Sequence, residues 1–568
     1  MAIAGIALIG ALAIGDGKSG NGRAAPVAGF LLESANGTRI ALESEPRAES
    51  PERQLTVIAA LLPDDPPSVA LAARLAPLAT ELAPRGVRFL VLAPATAAAA
   101  KSAFPPLAST PIDLLLDPTT VVATRLGLER AATVIVLDRH FVPLYRGAAD
   151  DAAGNDYLVD AIESGLAEEE IAAASTPPTG APLAAIAPAK PTFHRDVEPI
   201  LDRHCVGCHR PGQIGPMSLL DRDEATGWAP TIAEVTGNGR MPPWSADPRF
   251  GHFSNERRLT DTEKETLARW AASGAAAGDP ADAPPTPHFA DPEWLIGPPD
   301  LVIELPAEQP ISATEVMSYR YVHVDPHFTK DLLVEAVEVR PTARAATHHV
   351  IAYLLPPGMT PDQALRDPTT VLSLDGLAGY APGSPPLVYR DGFGSKIGKG
   401  STILFELHYT PTGKAMSDRT RVGIRLARHP VTHLVETGAA MNFSFRIPPQ
   451  KDDSTFTAQH RFGRAAKLLT LTPHMHMRGK AMRYELLRTD GTTRTLLDVP
   501  KYDFNWQLTY QLQEAIAVAP GDLLRVTAIY DNSPQNPFNP DPTKWVTWGD
   551  QTFEEMLIGY FDYVEEAE

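Results

Sequence analysis

Cysteine is nearly absent: the chain has two in 568 residues. A small scaffold stapled by disulfides is therefore excluded. Long runs of Lys or Arg are also missing, and the net charge is −19. Binding along a phosphate backbone needs clustered positive charge, so nucleic acid is not expected as a partner. No apolar run approaches the ~20 residues a membrane-spanning helix requires, so no span is expected in the mature chain. The longest run near a terminus, Ala2 to Ile14, is broken by glycines. It resembles the apolar region of an export signal, with a small-residue cleavage site near Ala24–Ala25, although the usual basic start is missing. No fixed-period repeat is visible.

What is present reads as several folded domains. Apolar residues make up 44% and charged residues 21%, a globular balance. With 41 Gly and 55 Pro, turns and linkers are abundant. After a candidate signal over 1–26, residues 27–172 alternate strands (Leu55–Leu62, Val87–Leu92, Ala132–Asp138) with helices (Val69–Leu82, Asn155–Leu166), which predicts an α/β layer fold. Pro77 should kink or interrupt the first of these helices. Residues 173–191 are rich in Pro and Ala and predict an extended, semi-rigid linker. Residues 192–278 read as mainly helical, with Thr260–Ala272 the clearest amphipathic segment. A second linker covers 279–295. Beyond it, short apolar runs recur between turn residues: Leu332–Val339, His348–Leu355, Ser401–Tyr409, Leu468–Thr472 and Leu523–Tyr530. That pattern predicts two all-β sandwiches, 296–428 and 429–568.

Both cysteines lie in Cys205-Val-Gly-Cys208-His209, the C-x-x-C-H pattern of c-type haem attachment. Two thiols reach the vinyl groups on one side of the macrocycle, and the adjacent His projects beneath the ring to ligate iron. A zinc site would need a second Cys/His pair, and a redox C-x-x-C should sit in the α/β domain. The sixth iron ligand is expected downstream. Met241, in Gly-Arg-Met-Pro-Pro-Trp, is the first candidate, with Met217 and His252 as rivals. Because c-type haem is attached outside the cytoplasm, the motif also argues for an exported, periplasmic or extracellular protein.

Five of the sixteen histidines form a second constellation. His474 and His476 sit two apart, so on a strand they share a face and can hold one metal together. His348 and His349 are adjacent, and on a regular strand they would face opposite ways. Their joint use as ligands needs a local bulge or coordination through Nδ1. His408 lies in Phe-Glu-Leu-His-Tyr. Imidazoles suit Cu, Zn, Fe or Ni, and a thioether such as Met556 shifts the preference toward Cu(I).

The segments THHVIAYLL, FELHYTP, PHMHMRGK and QTFEEMLIGY, in that order, resemble the copper type II, ascorbate-dependent monooxygenases, the family of peptidylglycine α-hydroxylating monooxygenase and dopamine β-monooxygenase. The resemblance covers about 296–568. It implies two jelly-roll-like sandwiches. One copper would sit on His348, His349 and His408, and a second on His474, His476 and Met556. It further implies that the second copper activates O2 while the first relays an electron across an open cleft, with ascorbate or another external reductant. Tyr560 is retained from the family pattern as a substrate-pocket residue. Two departures matter. The peptidylglycine enzyme's substrate-anchoring Arg is replaced by Thr472, and its Asn two places after the Met is Ile558. Without that cation a peptide carboxylate loses its charge-assisted partner.

Residues 27–172 also resemble the thioredoxin-like redoxins, through VRFLVLAPAT, LLLDPTTVVATRLGLERAATVIVLD and PLYRGAADD. The loop that should carry a thiol reads Pro63-Asp64-Asp65-Pro66-Pro67-Ser68, and Ala132 stands where a proline is usual. With no thiolate there is no exchange chemistry, so a docking or structural role is expected. The chain is thus expected to be multidomain: a thioredoxin-like α/β domain, a small α-helical cytochrome c domain, and two β-sandwiches. Its expected work is hydroxylation of a small organic substrate with O2. The haem would pass electrons to the copper of His348, His349 and His408, and a redox partner protein is a further expected partner. The alternative is a non-enzymatic electron-transfer or copper-binding protein on the same scaffold. A haem-based sensor is a third reading, with no output domain to support it.

Overall fold

The computed structural model describes residues 25–42, 54–187, 190–211, 213–285, 287, 293–315, 317–367, 370–371 and 374–566. The candidate export segment, apart from residues 25 and 26, lies outside these residues. The chain separates into two compact units: 1–191 with 259–269, and 192–258 with 270–568.

The first unit is built on a seven-stranded sheet of β1 (Phe30–Ser34), β2 (Arg39–Leu42), β3 (Leu55–Ala60), β4 (Val87–Ala93), β5 (Ile112–Leu116), β6 (Thr133–Asp138) and β7 (Pro143–Ala148), in the order β2-β1-β5-β4-β3-β6-β7. Strands β3, β4 and β5 are parallel neighbours, and β6 and β7 close the sheet antiparallel. The run LTVIAA is buried at all six positions of β3, as expected of a central strand covered on both faces. This mixed sheet with its helices is the α/β layer the sequence predicts.

Helix α1 (Pro66–Leu82) begins where a thioredoxin-like protein would place its thiol. Here Asp65 caps it, accepting from Ser68 N at 3.0 Å and Ser68 Oγ at 2.7 Å, with two prolines in the first turn. The helix runs unbroken through Pro77, against the expected interruption. Leu71, Leu75, Ala79 and Leu82 are all buried on one side, and that packing outweighs the hydrogen bond Pro77 removes. The supposed linker does not stand free. Residues 174–187 fold back along this unit, with Arg146 N donating to Ala174 O, Ala131 N to Ala181 O, Leu183 N to Glu129 O, and Ile186 N to Pro118 O. Ala181 N in turn reaches Asp65 Oδ1 at 3.3 Å. Backbone groups that a free Pro-rich spacer would leave to water find partners here.

In the second unit, residues 193–237 carry short helices: Phe193–Val197, Glu198–His204, Arg222–Gly227 and Ala229–Gly237. The β-rich part follows. Its principal strands are first β8 (Leu301–Glu304), β9 (Arg320–Val324), β10 (Leu332–Arg340), β11 (Thr347–Leu355), β12 (Asp375–Tyr380), β13 (Phe393–Ile397), β14 (Thr402–Tyr409) and β15 (Arg421–Leu426). The chain continues as β16 (His433–Met441), β17 (Ser454–Arg461), β18 (Ala466–His474), β19 (Gly479–Leu487), β20 (Thr493–Val499), β21 (Tyr510–Val518), β22 (Leu523–Tyr530) and β23 (Ile558–Glu565).

One long sheet, β21-β18-β23-β16-β13-β10-β15-β8, runs through both halves. The joint is a parallel pair, Phe393↔His433 and Gly394↔Leu434. The sheet β9-β14-β11-β12 packs on one half of it around Val334, Val350, Phe405 and Ile424. The sheet β17-β22-β19-β20 packs on the other around Leu468, Tyr484, Val526 and Phe561. The two cores are large and contain no disulfide, because the chain's two cysteines, Cys205 and Cys208, lie outside them and are not joined. Apolar burial holds these layers, helped by cross-layer hydrogen bonds such as Tyr484 Oη to Tyr560 O at 3.3 Å. Among the described residues no helix is long and apolar enough to cross a membrane.

Candidate metal and substrate site

Strands β11 and β14 pair antiparallel with His349 directly opposite His408. The ladder slips by one residue between Thr347 and His349. This bulge supplies the irregularity that two adjacent ligands demand. The rings of His348 and His349 turn toward each other, with Nδ1 atoms 3.3 Å apart. His348, His349 and His408 each offer a ring nitrogen, and these atoms lie within 4.8 Å of one another.

All three are buried. Burial, helped by neighbouring His349, pulls His348 down to about 3, and burial pulls His349 down to about 4. His408 is shifted the same way. The trio is thus neutral at ordinary pH, the state a metal ligand requires. Nε2 of His348 and Nδ1 of His408 are buried without a hydrogen-bond partner. Such atoms are costly unless something else occupies them, and a metal ion fits.

The second group forms at the end of β18. His474 sits opposite Ile558 of β23, and His474 and Met556 line one small cavity. Gln507 Oε1 accepts from His474 Nδ1 at 2.7 Å, which leaves Nε2 bare. Burial pulls His474 down to about 4. His476 is fully buried, and neither ring nitrogen has a partner of hydrogen-bond geometry. Its backbone N donates to Glu555 Oε2 at 2.9 Å, and Arg478 N donates to Glu555 Oε1 at 2.6 Å. Glu555 therefore ties the H-x-H segment to the residue next to Met556. Burial pushes its carboxyl up to about 8.

The open cleft implied by the family resemblance is not what separates the two groups. The rings of His349 and His474 are 6.3 Å apart, centre to centre. Phe504 stacks on His348 at 4.0 Å and lies 6.3 Å from His476. The loop that carries Phe504 and Gln507 fills the space between the histidine groups. Glu406, two residues before His408 and on the same face of β14, lies beside both. Its Oε1 is 3.4 Å from His349 Nε2, and its Oε2 accepts from Tyr321 at 3.1 Å. Burial pushes Glu406 up to about 7. Tyr319 packs edge-on against His349 and tilted over His408.

Beside the histidines opens a cavity of about 400 Å³, lined by His349, His474, Tyr353, Met441, Thr472 and Tyr560 among others. Tyr560 is 6.1 Å from His474, ring to ring. The Thr472 hydroxyl donates to Thr509 Oγ1 at 3.0 Å. Ile558 is fully buried in β23. No Lys or Arg is among the described lining residues. The acidic group there, Asp562, is held by the hydroxyls of Thr437 and Thr470, both at 2.7 Å.

The C-x-x-C-H segment follows the helix Glu198–His204. Cys208 N and His209 N both donate to Cys205 O, so the three residues sit on one turn. Neither sulfur is in a disulfide. Cys208 faces the guanidinium groups of Arg257, Arg344 and Arg210, and its own burial raises it. Burial lowers His209, with the Met217 backbone opposing, and no bond of full geometry reaches its Nδ1. Two sulfurs and a buried imidazole on one turn are the donor types a covalently held haem would need. Met241 follows the helix Ala229–Gly237, its amide bonded to Val235 O. His252 O accepts from Gln513 N of β21.

Sequence reasoning missed Glu406, Phe504, Gln507, Glu555 and Tyr319. Glu406 was within reach, since i and i+2 on a strand share a face. Gln507 and Phe504 lie on an irregular loop that no periodicity marks.

Among solved structures, the chain is similar to a hypothetical protein from Sinorhizobium meliloti 1021, at 20% identity over 29% of this chain and 96% of that one, with a TM-score of 0.26. It is similar to an uncharacterised conserved protein from Geobacillus kaustophilus, at 20% identity over 28% and 88%, TM-score 0.25. A secreted disulfide oxidoreductase from Mycobacterium tuberculosis shares 16% identity over 24% and 95%, TM-score 0.20. Comparison with curated proteins gives no match. Residues 432–568, which carry His474, His476, Met556 and Tyr560, match the family model of the copper type II ascorbate-dependent monooxygenase C-terminal domain.

Proposed function

We propose that the chain is an exported copper-dependent monooxygenase that hydroxylates an uncharged organic substrate at carbon. Substrate C–H, O2, two electrons and two protons give C–OH and water. The supporting observation is the His348–His349–His408 cluster, with His349 and His474 lining one cavity large enough for a small molecule and His474 and Met556 lining a smaller one. Bound copper supplies O2 activation and one-electron steps. The chain's own residues do the rest. His348, His349 and His408 hold one ion through neutral imidazoles. His474 and His476 hold the other, with the Met556 thioether favouring the cuprous state. Gln507 fixes the tautomer of His474. Tyr560 and Thr472 shape the substrate wall. With no cation there to receive an anionic substrate, an uncharged one suits the cavity better.

Residues 192–278 are read as a c-type cytochrome domain, with haem on Cys205 and Cys208, His209 as one iron ligand and Met241 as the other. It supplies electrons one at a time, and ascorbate or a partner protein reduces it. The thioredoxin-like unit serves docking or structure. Metal analysis of the exported protein should give two coppers and one iron per chain. Oxygen uptake with a panel of small neutral organic molecules should then follow copper loading. Protein that refuses copper overturns the proposal. Protein that binds both metals but consumes no oxygen with any substrate supports the electron-transfer or copper-holding alternative.

A further inference from the structure

The 400 Å³ cavity beside the histidines has a second polar end, away from His474. Asp562 of β23 sits directly opposite Thr437 of β16 on one side and Thr470 of β18 on the other. Side chains paired in this way share a face of the sheet. The Thr437 hydroxyl donates to Asp562 Oδ1 and the Thr470 hydroxyl to Oδ2, both at 2.7 Å. A carboxylate has about four acceptor sites, so capacity remains for a donor that enters the cavity. Among the described lining residues no Lys or Arg competes for it. Thr437 is exposed, so this end meets solvent, whereas His474 is buried. Burial raises the Asp562 carboxyl, and the two threonine hydroxyls oppose that shift.

One strand face leads from this end to the histidines. Strand β18 presents Thr470, Thr472 and His474 at every second position, opposite Asp562, Tyr560 and Ile558 of β23. From Thr470 to His474 the strand rises about 13 Å, at ~3.3 Å per residue. Ile351, Leu377, Pro385 and Leu387 also line the cavity and make the rest of its surface largely apolar. A molecule that reaches both ends is therefore elongated, with an apolar body and a hydrogen-bonding head. The groups that surround the Asp562 carboxyl are neutral hydroxyls. A hydroxyl head joins them at small cost, whereas an ammonium head gives up far more hydration on entering.

Resting on the monooxygenase reading above, we propose that the substrate is an elongated neutral alcohol and that Asp562 is the specificity-determining residue, accepting a hydrogen bond from the alcohol's hydroxyl head. The head lies at the Thr437 end and the carbon to be hydroxylated lies beside His474. Thr437 and Thr470 hold the carboxyl in place between three strands. Asp562 selects the substrate and takes no part in bond making or breaking.

The test is calorimetric binding to the full chain in the absence of oxygen, so that recognition is read apart from turnover. The probes are 1-octanol and 1-methoxyheptane, which match in size and differ in the donor. Wild-type protein should bind the alcohol ~10- to 100-fold more tightly than the ether, the worth of a hydrogen bond to a charged group. Asp562→Ala should bring that ratio close to one and leave the affinity for the ether unchanged. A residue that merely clipped the strands together would weaken both probes alike. Asp562→Asn, which can keep contacts to both threonines, guards against loss of folding: it should retain the thermal midpoint and lose most of the preference. Equal affinity of wild type for the two probes, or a preference that survives in both variants, overturns the proposal. Tighter binding of octylammonium than of octanol overturns it too. Those results leave the monooxygenase reading standing wherever copper-loaded protein takes up oxygen with another substrate. Selective octanol binding by copper-loaded protein that consumes no oxygen with any substrate overturns the monooxygenase reading and leaves Asp562 as an alcohol-binding residue.

Discussion

Replacing Gln507 by Leu tests the second histidine group without touching a proposed ligand. The side chain is buried, 8% exposed, and its Oε1 is the acceptor for His474 Nδ1 at 2.7 Å. Leucine fills nearly the same space but accepts nothing. His474 Nδ1–H is left buried and unpaired, at a cost of about 1–3 kcal/mol. At about 1.4 kcal/mol per factor of ten, that is roughly a 5- to 140-fold loss in copper affinity. The range agrees with the ~10- to 100-fold losses seen when the outer partner of a metal-bound histidine is removed. The assay is competition for Cu(I) with a chelator of known affinity, fitted to two sites. Only the site lost in His474→Ala should weaken, and the one lost in His408→Ala should hold its affinity. Gln507→Glu keeps an acceptor and adds charge, so affinity at the second site should match or exceed wild type. Equal weakening of both sites in Gln507→Leu, or a Gln507→Glu variant as weak as the leucine one, would refute the assignment of this contact.

Met556→Ile is expected to preserve most haem absorbance and the copper lost in His408→Ala, yet abolish oxygen consumption; full activity would remove Met556 from the site. Glu555→Ala strips two buried amides, His476 N and Arg478 N, of their acceptor, at about 1–3 kcal/mol each, and thermal unfolding of the apo chain should register the loss. The pH dependence has a defined sign. His348, His349 and His474 titrate near 3 to 4 when folded and near 6.5 when unfolded, so the unfolded state binds more protons in between. These rings therefore cost apo protein stability as pH falls from about 6.5 toward 4, by up to about 1.4 kcal/mol per pH unit each, while Glu406 and Glu555, raised to about 7 and 8, act in the opposite sense; a His474→Leu variant should lose less stability over that window than wild type, and an equal loss would contradict the burial of this ring. In the first unit, a Cβ at Gly180 would come within 2.2 Å of Ala131 O, so Gly180→Val should lift residues 174–187 and open them to limited proteolysis.

Much of this arrangement was legible in the sequence because strands announce their faces. The spacing of His474 and His476 predicts a shared strand face, but β18 ends at His474, so the turn that follows brings the His476 ring within 5.3 Å instead. His348 next to His349 was awkward enough to require a bulge, and the ladder slips at that point. The continuous apolar runs of β3, β4 and β6 marked a sheet covered on both sides. What escaped notice depends on contacts distant in sequence. Nothing local in KYDFNWQLT says that Phe504 will stack on His348 or that Gln507 will orient His474. The Pro-rich stretch 173–191 looked like a spacer because composition reports backbone stiffness, not partners, and its partners lie on loops and strand edges of the first unit. Pro77 likewise shows local propensity yielding to burial of the helix face.

The slip at Thr347–His349 makes the first histidine group sensitive to chain length more than to chain chemistry. Outward and inward positions on β11 alternate, so adding or dropping a single residue between the slip and Leu355 would move every later side chain to the wrong layer, or swallow the slip and send His348 to the opposite surface. Conservative replacements along the strand can accumulate; length changes cannot. Natural variants that keep this half-site should therefore differ in letters but never in spacing between Thr347 and Leu355.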